Sequence, residues 1–464
     1  MLLFSSTYFV FLVAIFLLYW PIARFRTATL ALVLFANYFF LARWDLACLA
    51  VIPVASTCDY VIGLGLQFSK KQPLRKLLVT CSILLNIGLI VAFKYMPFFL
   101  QNWAGIRGEE PKVWQWTLAI SLSFYAFQSI TYTIDLYRRD SKGTKSLLAH
   151  LASVSFFPTI LAGPITRVST LIDQFEKPKK LEPAEGSRAL FLIGQGLMKK
   201  LLIADYLGTN LVNRIFDFPN LYTGAEVLIA VYAYAFQIYY DFSGYSDIAI
   251  GSAMLLGIKL PQNFNAPYMA ENVADFWRRW HISLSNWLRD YLYFSLPGKR
   301  AKFLPYFNLF VTMVIGGLWH GPSWNFAIWG ALHGLGLAVA RLWHTKFGTA
   351  KSKGVWRYVN IFVTFHFVTF AWIFFRASTF ELASAILGRI GSFTIAFANV
   401  TTPLWLILVL GLLAHYIPKK WYEALQTVWI RAPFYAQAAA LVALVIGLQY
   451  VATTGAAPFI YQKF

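Results

Sequence analysis

The stretch at residues 303–321, FLPYFNLFVTMVIGGLWHG, decides how this chain is to be read. From Phe303 to Trp319 it carries no charge, and it then ends on His320, Gly321 and Pro322. An apolar run of this kind suits a helix in hydrocarbon. Gly316 and Gly317 allow close backbone approach, and Pro322 ends or breaks the helix. Such a break at membrane depth is tolerated only against protein or a water-filled cavity. An ionisable ring there is the geometry expected of a general base lining a tunnel; a histidine hydrogen-bonded to a neighbouring helix is the plainer alternative.

The rest of the chain agrees with a membrane setting. Its 464 residues are 58% hydrophobic and 18% aromatic, with only 13% charged. Ordinary globular domains carry about 25% charged residues. Apolar windows recur from Tyr8–Trp20 and Thr27–Phe40 through Trp116–Ile134, Leu190–Leu207 and Glu226–Tyr240 to Ala438–Val451. They predict an all-α polytopic protein with roughly ten to twelve spans, some of them tilted or re-entrant. The first apolar segment has no basic leader and no small-residue cleavage site, so it reads as a retained helix.

Net charge is +20, and the cations sit in short loops such as Arg24/Arg26, Lys70/Lys71/Arg75/Lys76 and Arg138/Arg139/Lys142/Lys145. These clusters fall on one side if helices alternate and residues 1–6 face outward. The positive-inside rule makes that side cytoplasmic and leaves both termini extracytoplasmic. Basic loops that set topology and meet anionic membrane lipids explain the charge; nucleic-acid binding is not indicated. Cys48, Cys58 and Cys81 lie in apolar segments without metal spacing and read as packing residues.

Three polar stretches interrupt the hydrocarbon pattern. Residues 174–187 read as a cytoplasmic loop with a short amphipathic helix. Residues 263–302 mix arginine with aromatic side chains, as segments at the membrane interface do. Taken as a helix from Asp275 to Asp290, this region places Trp277 with His281 on one face and Asn286 with Arg289 on another. Arg278 and Arg279 suit lipid phosphates, whereas His281 lies among apolar and aromatic neighbours. The third stretch runs from Tyr239 to Asp247 between apolar helices; capping by Asp241 or Ser243 and a polar tunnel wall are expected, and no metal site. His333 repeats the His-Gly step and reads as structural or supporting. No phosphate-cradling loop, serine nucleophile elbow or HExxH motif appears, which gives hydrolytic and nucleotide-driven classes little support.

Phe276-Trp277-Arg278-Arg279-Trp280-His281-Ile282-Ser283-Leu284 with Trp319-His320-Gly321 resembles the membrane-bound O-acyltransferase (MBOAT) superfamily. The similarity is greatest to its bacterial alginate O-acetyltransferase and lipoteichoic-acid D-alanylation branch. Tyr240-Asp241-Phe242-Ser243-Gly244-Tyr245-Ser246-Asp247 and Asn263-Phe264-Asn265-Ala266-Pro267-Tyr268 add to it. The resemblance implies one transmembrane domain over 1–464: N-terminal helices to 145, a catalytic core over 146–345 and C-terminal helices beyond. It implies a ring of tilted helices around a central tunnel, in the bacterial inner membrane. It also implies that His320 is the catalytic base and His281 the second active-site position. Tyr461, in a terminal aromatic motif, matches a tyrosine thought to relay the acyl group; an interfacial anchor is the alternative.

On this reading acetyl-CoA, or another acyl thioester, is a cytoplasmic donor substrate held by Arg278, Arg279 or the Lys299–Lys302 cluster. Trp277, Asn286, Trp319, Tyr240, Asp241 and Ser243 line the donor site or tunnel. His281, with Trp277 or Asn286, orients the thioester or bonds to the oxyanion. The acceptor is a secreted polysaccharide, reached through an extracytoplasmic SGNH-type partner. A transporter or flippase of an envelope intermediate is the competing class, favoured by polar residues at membrane depth. An MBOAT that acylates lipid or protein is a third reading.

Overall fold

The computed structural model describes residues 1–114, 121–177, 180–297, 303–348 and 353–451, and every regular element among them is a helix. Among the described residues, four helices are long and apolar enough to cross a membrane: Cys48–Phe68, Gln72–Arg107, Trp324–Phe347 and Val355–Arg376. Thr402–His415 and Lys419–Arg431, bent by 93°, make a fifth if taken as one span. Other apolar helices, such as Ser6–Ile22 and Arg26–Ala42, have 17 residues each, at the lower limit of what a span needs.

Two compact units divide the chain. The first comprises Met1–Ile193 with Ile248–Pro261. Ser5 caps its opening helix by accepting from the Tyr8 amide. Tyr8, Phe11 and Phe40 then close on Phe157, in the short helix Phe157–Ile160. Phe157 and Pro158 therefore open a short, buried helix. Arg75 is buried and reaches the Leu136 and Tyr137 carbonyls at 2.9 Å each, satisfying acceptors at the end of Ser121–Arg138. Halfway along Cys48–Phe68, Asp59 is fully buried and accepts from Ser82, Asn86 and Ser129 at 2.5, 2.7 and 2.5 Å.

The second unit comprises Gly194–Asp247 with Gln262–Phe464. Its centre is a helical hairpin, Leu304–His320 and Trp324–Phe347, joined by Gly321, Pro322 and Ser323. A Cβ on Gly330 would lie 2.9 Å from the Val314 Cα, and one on Gly317 would lie 3.1 Å from Gly330. Facing glycines thus let the two backbones touch, as small residues do between membrane helices. The long helix Gly224–Leu255 supplies Tyr239 to Asp247 from inside its run, not from a cap.

Candidate active site

His320 is the last residue of Leu304–His320, only 3% exposed. The hairpin and the following helix surround it with rings: Trp319 at 5.1 Å, Trp329 at 5.2 Å and Phe375 at 5.0 Å between centroids. The glycine contacts explain the placement. With the hairpin backbones in contact, the end of the first helix meets the start of the second.

His281 does not share a helical face with Trp277. The helix Val273–Arg279 stops, Trp280 is extended, and His281 takes a left-handed conformation with φ 40° and ψ 56° before Ile282–Trp287 begins. Non-glycine residues rarely adopt this region, and such strain gathers at functional sites. The break is held by residues 263–265. The Asn265 amide donates to the Arg279 carbonyl, and the Asn263 carbonyl accepts from Ile282, both at 2.9 Å. The Asn263 side chain accepts from the Ser283 amide at 3.2 Å and the Ser283 hydroxyl at 2.9 Å, and it meets His281 Nδ1 at 3.1 Å. The free N–H groups of the new helix are thereby satisfied across a gap in sequence. His281 is fully buried, edge-on to Phe242 at 4.6 Å. Trp319 bridges the two histidines, 6.5 Å from the His281 ring on one side and 5.1 Å from His320 on the other.

Trp277 instead turns to His333, donating from Nε1 to Nδ1 at 3.3 Å. His333 is fully buried and 4.9 Å from Trp329, the ring that also flanks His320. Three imidazoles are therefore linked through tryptophan rings in one unit.

Several other expected residues stand apart from this cluster. Asn286 is exposed. Arg279 pairs with Asp275 at 2.9 Å, while Arg278, 69% exposed, reaches Asp275 only at 3.5 Å. The Tyr240 hydroxyl donates to the Gly411 carbonyl at 2.5 Å. Tyr461 and the Lys299–Lys302 cluster lie outside the described residues.

Asp241 and Ser243 cap no helix, because a buried lysine, not a helix end, answers the carboxylate. Lys200 Nζ is 2.7 Å from Asp205 and 2.8 Å from Asp241, with its side chain 1% exposed. Its neighbour Lys199 reaches Asp247 at 2.7 Å. Both lysines lie in the π-helical segment Met198–Ala204. Gly244 lets that segment approach: a Cβ there would be 3.1 Å from the Lys199 Cβ and 3.2 Å from the Lys200 amide. Sequence reading passed over these lysines, and their signal was present: two cations inside the apolar window 190–207. Among the described residues no group of three or more His, Cys, Asp or Glu side chains could hold a metal.

The apolar helices are those of a polytopic helical membrane protein, and its second unit gathers three buried imidazoles among tryptophan rings. The model of the membrane-bound O-acyltransferase family, MBOAT, matches residues 70–384. The chain is 38% identical over 401 residues to a probable alginate O-acetylase of Pseudomonas putida, covering 84% of this chain and 81% of that protein. It is 35% identical over 387 residues to a peptidoglycan O-acetyltransferase of Helicobacter pylori, covering 77% and 72%. To a teichoic acid D-alanyltransferase of Bacillus subtilis it is 29% identical over 321 residues, covering 63% and 78%. The chain belongs to the MBOAT family and is a multi-pass membrane O-acyltransferase.

Proposed function

We propose that this protein moves an acetyl group from cytoplasmic acetyl-CoA toward hydroxyls of a secreted or cell-surface polysaccharide. The observation that carries the reading is His320, an imidazole buried among aromatic rings where two glycine-packed helices turn. Acetyl is preferred to D-alanyl because the acetylating relatives, at 35–38% identity, are nearer than the D-alanylating one at 29%.

In the reaction the accepting hydroxyl gives its proton to His320 as its oxygen attacks the thioester carbonyl. The tetrahedral intermediate collapses, the C–S bond breaks, and the departing thiolate takes the proton back from His320. The products are an acetyl ester and free coenzyme A. A positioned base of this kind typically contributes about 10²–10⁴-fold. Arg278 sits on the surface in the last turn of its helix, where a phosphate group of the donor can be met. Tyr461 is the proposed first acceptor on the extracytoplasmic side, and an SGNH-type partner carries the group on to the polymer. The basic loops orient the protein in the bacterial inner membrane with both termini outside.

The experiment is incubation of the purified protein, in detergent or liposomes, with acetyl-labelled acetyl-CoA. Release of coenzyme A with label on Tyr461 or on added acceptor supports the proposal. No turnover with acetyl-CoA, but turnover with another acyl thioester, would overturn the acetyl assignment.

A further inference from the structure

Two of the buried imidazoles have their tautomers set by neighbours whose hydrogen-bonding roles are unambiguous. A backbone N–H can only donate, so the Asn263 atom that receives the Ser283 amide at 3.2 Å is its carbonyl oxygen. That same oxygen meets His281 Nδ1 at 3.1 Å, so Nδ1 carries the hydrogen. A neutral His281 then presents a bare lone pair at Nε2. Indole Nε1–H also only donates, so His333 Nδ1 accepts from Trp277 and its hydrogen sits on Nε2. Both Nε2 atoms are buried, and neither has a hydrogen-bond partner among the described residues. Polar atoms in that condition are uncommon in native proteins and call for a functional account.

We infer that Asn263 is a positioning residue that locks His281 as the Nδ1–H tautomer, so that His281 meets substrate as a hydrogen-bond acceptor through Nε2. The catalytic consequence rests on the acyl-transfer reading above. A neutral His281 cannot then donate to the oxyanion through Nε2, whereas His333, oriented by Trp277, holds the opposite tautomer. The Asn263 amide is itself held from its other end, donating from Nδ2 to Ser246 Oγ at 3.2 Å. The left-handed backbone at His281 is consistent with this purpose: the strain turns the ring away from the course of the preceding helix and toward Asn263.

A purely capping role for Asn263 predicts loss of stability without any change in tautomer, so the test reads the tautomer itself. Histidine is labelled with 15N in the full-length protein in lipid bilayers. The His281 and His333 signals are identified from His281→Gln and His333→Gln. The inference expects protonated Nδ1 and bare Nε2 at His281, with the reverse at His333. Asn263→Asp, which keeps an acceptor oxygen, should preserve the His281 pattern; Asn263→Leu should lose it. In acetyl-CoA turnover, Asn263→Leu should lower kcat about ten- to hundredfold, the scale known for residues that orient metal-ligating histidines and taken over here for an orienting hydrogen bond. Asn263→Asp should recover part of that loss. A protonated Nε2 at His281 in the wild-type protein overturns the inference whatever the turnover. Absence of wild-type turnover with the expected tautomers in place would instead count against the acyl-transfer reading alone.

Discussion

Replacing Lys200 with methionine tests how the second unit is held together. Its ammonium lies 2.7 Å from Asp205 and 2.8 Å from Asp241, with the side chain 1% exposed. At an effective dielectric near 20 each contact is worth about 6 kcal/mol gross. Most of that is offset by the desolvation of three charges. Deleting one partner of such a group is a different matter, because two buried carboxylates lose the cation between them. The expected loss is about 3–5 kcal/mol. Reversible SDS titration in mixed micelles, followed by tryptophan fluorescence, reads this as a lower midpoint and a smaller apparent unfolding free energy. Adding Asp205→Asn and Asp241→Asn to Lys200→Met should restore most of the loss, since the uncompensated charge is then gone. A single variant within about 1 kcal/mol of wild type, or a triple variant no more stable than the single one, refutes the reasoning.

Three further outcomes follow from the same structure. Gly330→Val drives side-chain atoms into the Met313–Val314 backbone, so the hairpin must part; stability should fall by about 1–3 kcal/mol, and wild-type acyl transfer in that variant would contradict the packing argument. Asp59→Leu leaves the donors of Ser82, Asn86 and Ser129 facing a hydrocarbon side chain, at about 1–3 kcal/mol for each donor left unmet; Asp59→Asn should lose less, and equal losses in denaturant titrations would show that hydrogen bonding is not what matters there. Arg75→Met uncovers the Leu136 and Tyr137 carbonyls, and amide exchange should accelerate in the last turn of Ser121–Arg138 before it does elsewhere in the first unit.

Much of this architecture was legible because hydrocarbon imposes strong rules on sequence. The absence of charge from Phe303 to Trp319 and the Gly316-Gly317 pair predicted a closely packed helix ending at His320, and the facing contact at Gly317 supplies that closeness. Length and composition alone do not fix the number of spans, because a 17-residue apolar helix sits at the limit between a full crossing and a shorter segment. The continuous helix expected over 275–290 failed at His281, and the reason is tertiary. Asn263, eighteen positions upstream, satisfies the amides of a second helix start and makes a break affordable where local periodicity gives no warning. The same blindness hid the Trp277–His333 pair, which spans 56 residues. Asp241 was read as a cap because its partner, Lys200, lies forty-one positions away in a π-helical segment that periodicity does not reveal.

If His320 removes the proton from the accepting hydroxyl, as proposed, single-turnover kinetics of His320→Ala with labelled acetyl-CoA will show it. The variant should fold and still bind the thioester, while acetyl transfer falls by about 10²–10⁴-fold. Transfer at the wild-type rate in that variant would contradict it.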